Sequence, residues 1–108
     1  MSQNISMEQI FTIIGLAGDA KSGFYQAFEL IKNNEYEEAE KLIKEANETL
    51  TQAHRIQTEL ITLEAQGNKS EVGVILIHAQ DHLMNAILTK ELINHMISMQ
   101  KQINELKK

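Results

Sequence analysis

The chain of 108 residues contains no cysteine, no proline and no tryptophan, and only three phenylalanines and two tyrosines. Without cysteine it holds no disulfide, no thiolate metal site and no cysteine nucleophile of its own. Without proline, no residue lacks the backbone N–H that a helix interior requires. With aromatics at 5% of the sequence, the interior has to be built from Ile, Leu, Ala, Met and Val. No apolar run approaches the ~18 residues of a membrane span, and the N-terminus carries no signal-peptide pattern. These absences point to a cytoplasmic protein without direct membrane insertion. The formal net charge is −5, whereas a nucleic-acid partner calls for a basic stripe. Nucleic acid is therefore not the expected partner. The length suits one domain, residues 1–108, with a modest core.

Three long segments show helical periodicity. The first runs from about Ser6 to Lys32, with Ile10, Ile13, Ile14, Ala17, Ala20, Phe24, Ala27, Phe28 and Ile31 on one face. Asn33 and Asn34 break it. The second begins near Glu35, where Glu37 and Glu38 suit the positive end of a helix dipole. Its inner stripe is Ala39, Leu42, Ile43, Ala46, Leu50, Ala53, Gln57, Leu60 and Ile61. Gly67-Asn68-Lys69 ends it, and Ser70 is a suitable N-cap for a third helix over about Glu71–Leu106. No segment alternates with period two long enough to form a strand. Short connections between long helices predict an all-α, antiparallel up-down-up three-helix bundle.

The third helix carries two apolar seams. Val72, Leu76, Ala79, Leu83, Ala86, Ile93 and Ile97 suffice to pack on the other helices. Val74, Ile77, Asp81, Met84 and Leu88 form a second seam at alternating spacings of three and four. A three-helix monomer needs one inward stripe per helix. The surplus seam predicts a closed homo-oligomer with this helix at its centre, and the lone polar residue in it, Asp81, is placed to fix register and stoichiometry.

Asp81 belongs to the stretch His78-Ala79-Gln80-Asp81-His82-Leu83-Met84. Residues four apart on a helix lie one above the other, so His78 and His82 form an imidazole pair. Three readings suit it. The pair can be an ordinary surface or hydrogen-bonded structural pair. It can be a transition-metal site, with Asp81 as a third ligand to one ion held by His78 and His82. It can be a nucleophilic site, since neutral imidazole near pH 7 attacks phosphorus competently. In that case His82 and Gln80 are the right types to support His78 by donating to phosphoryl oxygens. Gln80 points elsewhere in its own chain, but can serve a neighbouring subunit. A plain oligomeric scaffold is the remaining alternative.

This stretch resembles the active-site signature of the lactose/cellobiose class of IIA components of the bacterial sugar phosphotransferase system. Ala17-Gly18-Asp19-Ala20-Lys21-Ser22 resembles the first-helix motif of that family, and Ala53-His54-Arg55-Ile56-Gln57-Thr58-Glu59-Leu60-Ile61 with Glu64-Ala65 the second-helix motif. Glu71-Val72 opening the third helix fits too. The resemblance implies a homotrimer with the third helix near the threefold axis. It implies that His78 accepts a phosphoryl group on Nε2 from HPr and passes it to a cysteine of a cognate IIB protein, with His82 beside the phosphoryl group. The cargo would be a β-linked disaccharide of the cellobiose, lactose or chitobiose class. Asp81 would lie on the axis and share a divalent cation. Three carboxylates a few Å apart repel by several kcal/mol each at an intermediate dielectric, and an oxygen-only site suits Mg²⁺ better than Zn²⁺.

The remaining residues have simpler readings. Gly15, Gly18, Gly23 and Gly73 suggest close approach of helices. Met84, Met96 and Met99 read as gap fillers unless they border a docking patch, and His54 as a core or interface residue. His95 lies seventeen residues beyond His78, roughly 25 Å along a helix, too far to join that site in its own chain.

Overall fold

Helix formation begins at a reciprocal cap. Ser6 Oγ accepts a hydrogen bond from the Gln9 backbone N–H at 3.1 Å, and Gln9 Oε1 accepts one from the Ser6 N–H at 3.2 Å. Two otherwise orphaned donors are thereby satisfied. The structure, a computed structural model, describes residues 6–67 and 73–108. They form three helices, α1 Met7–Lys32, α2 Tyr36–Ala65 and α3 Val74–Leu106, arranged as the expected antiparallel bundle. No strand occurs among the described residues.

The α1–α2 turn falls at the two asparagines. Asn34 adopts φ 62°, a left-handed conformation that asparagine tolerates better than most residues, and the Glu35 N–H bonds back to the Leu30 carbonyl at 2.9 Å. Helix α2 starts one residue beyond Glu35, with Glu37 and Glu38 in its first turn. It ends at Ala65, and Gly67 turns the chain at φ 87°. Asn68, Lys69, Ser70, Glu71 and Val72 lie outside the described residues, and with them the expected Ser70 cap and the first residues expected of the third helix. The expected end at Leu106 is observed.

Helix α1 is the central element. It buries Ile10, Ile13, Ala17, Ala20, Phe24, Ala27 and Ile31, while α2 and α3 each pack along it and touch one another sparingly. Alanine recurs where helices meet, allowing their backbones to approach. A Cβ on Gly23 would stand 3.1 Å from the Ala46 Cβ, so close approach does explain this glycine. Gly15, Gly18 and Gly73 are different: no atom lies within 4 Å of a Cβ built there, and all three are exposed. The packing explanation expected for them fails within the chain because they point away from the core.

Two further expectations are corrected. Ile61 is 53% exposed, because its neighbour Leu60 takes the inward position on α2. Met84, Met96 and Met99 fill no gaps in the core, for all three sit on the outer side of α3. The buried Asn104 drew no notice in the sequence. Its Nδ2 donates to the Ile31 carbonyl at 2.8 Å and to Tyr36 Oη at 3.0 Å, and its Oδ1 accepts from Gln100 Nε2 at 3.0 Å. One amide thus ties the end of α3 to the end of α1 and the start of α2.

Candidate functional site

On α3, Ala79 and Leu83 are fully buried against the bundle and fix the rotation of the helix about its axis. That rotation decides where each titratable neighbour points. His78 is exposed and His82 half-buried, on one flank of the helix. Their Nε2 atoms are 3.0 Å apart. The rings meet edge to face, with centroids 4.3 Å apart and planes at 88°. A hydrogen bond between two imidazole nitrogens needs one N–H and one lone pair, so the two Nε2 atoms hold opposite roles. The structure therefore brings together the two histidines singled out from the sequence.

Gln80 lies about 200° around the helix from His78, at about 100° per residue. On that opposite flank it faces α2, where its Oε1 accepts a hydrogen bond from Gln57 Nε2. In the sequence Gln57 stands in the inner stripe of α2 and in the second-helix motif, with no role of its own. A glutamine among alanines and leucines is the signal that could have marked it, since a buried amide needs a partner.

Asp81 is exposed within the second seam, which faces away from the core. Val74, Ile77, Met84 and Leu88 around it are also exposed, between 51% and 82%. Leu92, Met99, Ile103 and Leu106 continue this apolar face to the end of α3. The carboxylate does not converge on the imidazole pair. Among the described residues, no group of three or more His, Asp or Glu side chains is placed to hold a metal ion. One chain therefore does not assemble the metal centre read from His78, His82 and Asp81, because the two rings face each other rather than a common point. His54 is exposed rather than part of the core, and lines a shallow groove between α2 and α3 with Asn47, Thr51, Ile87, Lys90 and Glu91. His95 is exposed on α3 and apart from the pair.

The imidazole pair stands outside the two grooves along α2, one lined by Glu40, Lys44, Glu48 and Arg55, the other by Gln9, Arg55, Thr58 and Thr62. The pair thus sits on the surface of an all-helical bundle, with His78 exposed and His82 half-buried. No helix among the described residues is long and apolar enough to cross a membrane.

The chain belongs to the lactose/cellobiose-specific IIA subunit family of the phosphotransferase system, whose model matches residues 8–101. It is 43% identical over 103 residues to the lichenan-specific phosphotransferase enzyme IIA component of Bacillus subtilis, covering 94% of each chain. The crystal structure of the cellobiose-specific enzyme IIA from Bacillus anthracis superposes with a TM-score of 0.88 at 40% identity, covering 94% of both chains. The solution structures of the IIA(chitobiose)–HPr complex of the N,N'-diacetylchitobiose branch in Escherichia coli contain a chain that is 32% identical. It superposes with a TM-score of 0.78, covering 90% of this chain and 94% of that one.

Proposed function

We propose that this protein is a cytoplasmic phosphohistidine carrier that takes a phosphoryl group from phospho-HPr on His78. It then hands the group to a cysteine of a cognate IIB protein during uptake of a β-linked disaccharide. The observation that carries the reading is the 3.0 Å Nε2–Nε2 contact of His78 and His82. If Nε2 of His78 is the nucleophile, it holds the lone pair, and the shared hydrogen belongs to His82. In this neutral tautomer the proton of His78 resides on Nδ1.

The transfer is then a displacement at phosphorus. The His78 lone pair forms the new N–P bond while the donor's phosphorus–nitrogen bond breaks, its electron pair returning to the donor imidazole. The product ring is cationic, with its proton still on Nδ1. His82 Nε2–H, displaced from the lone pair it had occupied, is positioned to donate to a phosphoryl oxygen. In the second transfer a thiolate sulfur attacks the phosphorus and the electron pair of the N–P bond returns to Nε2. A surface site suits both steps, because donor and acceptor are proteins. The HPr complex of the chitobiose relative supports the choice of donor.

The same reading includes a homotrimer. The exposed seam of α3 lies opposite its buried face, and a closed assembly that turns three such seams inward removes them from water. In a cyclic arrangement, one flank of each central helix faces the opposite flank of the next. The His78 flank of one subunit then meets the Gln80 flank of its neighbour, so Gln80 can donate to a phosphoryl group carried by another chain. Asp81 fits a shared divalent cation, with Mg²⁺ preferred, only in this way: each chain supplies one carboxylate, and three copies supply an oxygen-only donor set. When bound, the ion would neutralise the like charges there.

Incubation with phosphoenolpyruvate, enzyme I and HPr, followed by intact-mass measurement at neutral to alkaline pH, tests the proposal. One acid-labile phosphoryl group per chain is expected, absent from His78→Gln. No mass gain with active HPr would overturn it.

A further inference from the structure

The proposed function leaves unexplained the hydrogen bond from Gln57 Nε2 to Gln80 Oε1, a part-buried link between residues 23 apart in sequence. Helices α2 and α3 otherwise touch sparingly. The bond joins them at the level of the phosphoryl-accepting histidine. Gln57 sits among Ala53, Ile56 and Leu60 on the inward side of α2, where an amide without a partner would be costly.

A primary amide has two unlike ends, and the partner of one end decides which end is left over. Gln57 donates, so the Gln80 carbonyl oxygen is engaged and its N–H₂ group remains available. Phosphoryl oxygens only accept hydrogen bonds. An amide turned the other way would set carbonyl lone pairs against a dianion. We infer that Gln57 is a positioning residue for phosphoryl transfer: by holding the oxygen of Gln80, it keeps the donor end of that amide directed to the phosphoryl group. The inference rests on the phosphocarrier reading and on Gln80 acting between subunits.

The test reverses the polarity of the bond. Gln57→Glu offers only acceptor oxygens and obliges Gln80 to turn its N–H₂ inward. Gln57→Lys offers only donors and leaves the orientation of Gln80 intact. The expected result is a kcat for phosphorylation by phospho-HPr about ten- to a hundredfold lower in Gln57→Glu, the scale of one charge-assisted hydrogen bond. Gln57→Lys should stay close to wild type, and KM for phospho-HPr should be unchanged in both.

Because Gln57→Glu also adds a charge, it is repeated in a Gln80→Met background, where positioning has nothing to act on. The loss should then largely vanish. Equal losses in both backgrounds, or equal losses in the Glu and Lys variants, would reduce Gln57 to a brace and overturn the inference. Thermal melting and sedimentation identify any variant that fails to fold or assemble, and Gln57→Met, which makes neither bond and leaves Gln80 unoriented, then takes the place of Gln57→Glu, with a smaller loss of kcat expected that again vanishes in the Gln80→Met background. A wild-type chain that accepts no phosphoryl group defeats the phosphocarrier reading and this inference with it. A wild type phosphorylated on His78, with variants blind to polarity, defeats this inference alone.

Discussion

His82 holds its Nε2 3.0 Å from Nε2 of His78, with the two rings at 88° to each other. At this contact one nitrogen carries the N–H and the other the lone pair, so the two rings take opposite roles. In the proposed carrier, Nε2 of His78 takes the lone-pair role and His82 supplies the donor that phosphoryl oxygens would meet.

Replacing that donor should impair transfer without disturbing the fold. His82→Leu is expected to slow phosphorylation of His78 about ten- to a hundredfold, the scale of one hydrogen bond to a charged group. His82 is only half-buried, so the helical circular dichroism and melting temperature should remain near wild type. Quenched-flow phosphorylation alongside melting curves checks both halves.

Asp81 tests the assembly. Asp81→Leu removes the like charges that three copies would bring together, which repel by roughly several kcal/mol at intermediate dielectric. The variant is expected to remain trimeric, with the trimer as tight as wild type or tighter, and to lose any response to divalent ions or chelator. Sedimentation with and without EDTA reads this out. Dissociation of the variant would show instead that the carboxylates are needed for assembly.

Asn104 carries a stability prediction. Asn104→Ala deletes the bonds to Ile31 and Tyr36, leaving the Ile31 carbonyl with the Asn34 N–H and the Tyr36 hydroxyl with Asn34 Oδ1 as their remaining partners. A loss of about 1–3 kcal/mol in urea unfolding is expected, with phosphoryl transfer intact because the residue lies at the far end of α3 from His78.

The glycines of α1 should separate by position. Gly15→Ala and Gly18→Ala meet open space within the chain and are expected to stabilise its helix by up to about 1 kcal/mol each. Gly23→Ala would bring a methyl group to 3.1 Å from the Ala46 Cβ, so crowding offsets the helix-propensity gain and the variant is expected to be less stable than either of the other two. Chemical unfolding of the three variants distinguishes them.

These residues also show which parts of the molecule were legible in the sequence. Local signals translated directly: the start of α1 near Ser6, the Asn33–Asn34 turn and the two seams of α3 depend on spacings within a few residues. The His78–His82 pair was legible for the same reason, being a contact between residues one turn apart. Gln57 and Asn104 were not, because each bonds to another helix, and their partners follow only from how the helices are rotated against one another. The same rotation separates Gly23 from Gly15 and Gly18, and Leu60 from Ile61, which composition treats alike. It also turns Met84, Met96 and Met99 outward, along the face that a trimer would cover.

The most direct test is nitrogen–phosphorus coupling in the phosphorylated protein, measured by NMR on uniformly ¹⁵N-labelled chain at alkaline pH. The account predicts a single phosphohistidine whose phosphorus couples to Nε2 of His78, with His54, His82 and His95 unmodified. A phosphoryl group on another histidine, or on Nδ1 of His78, would contradict it.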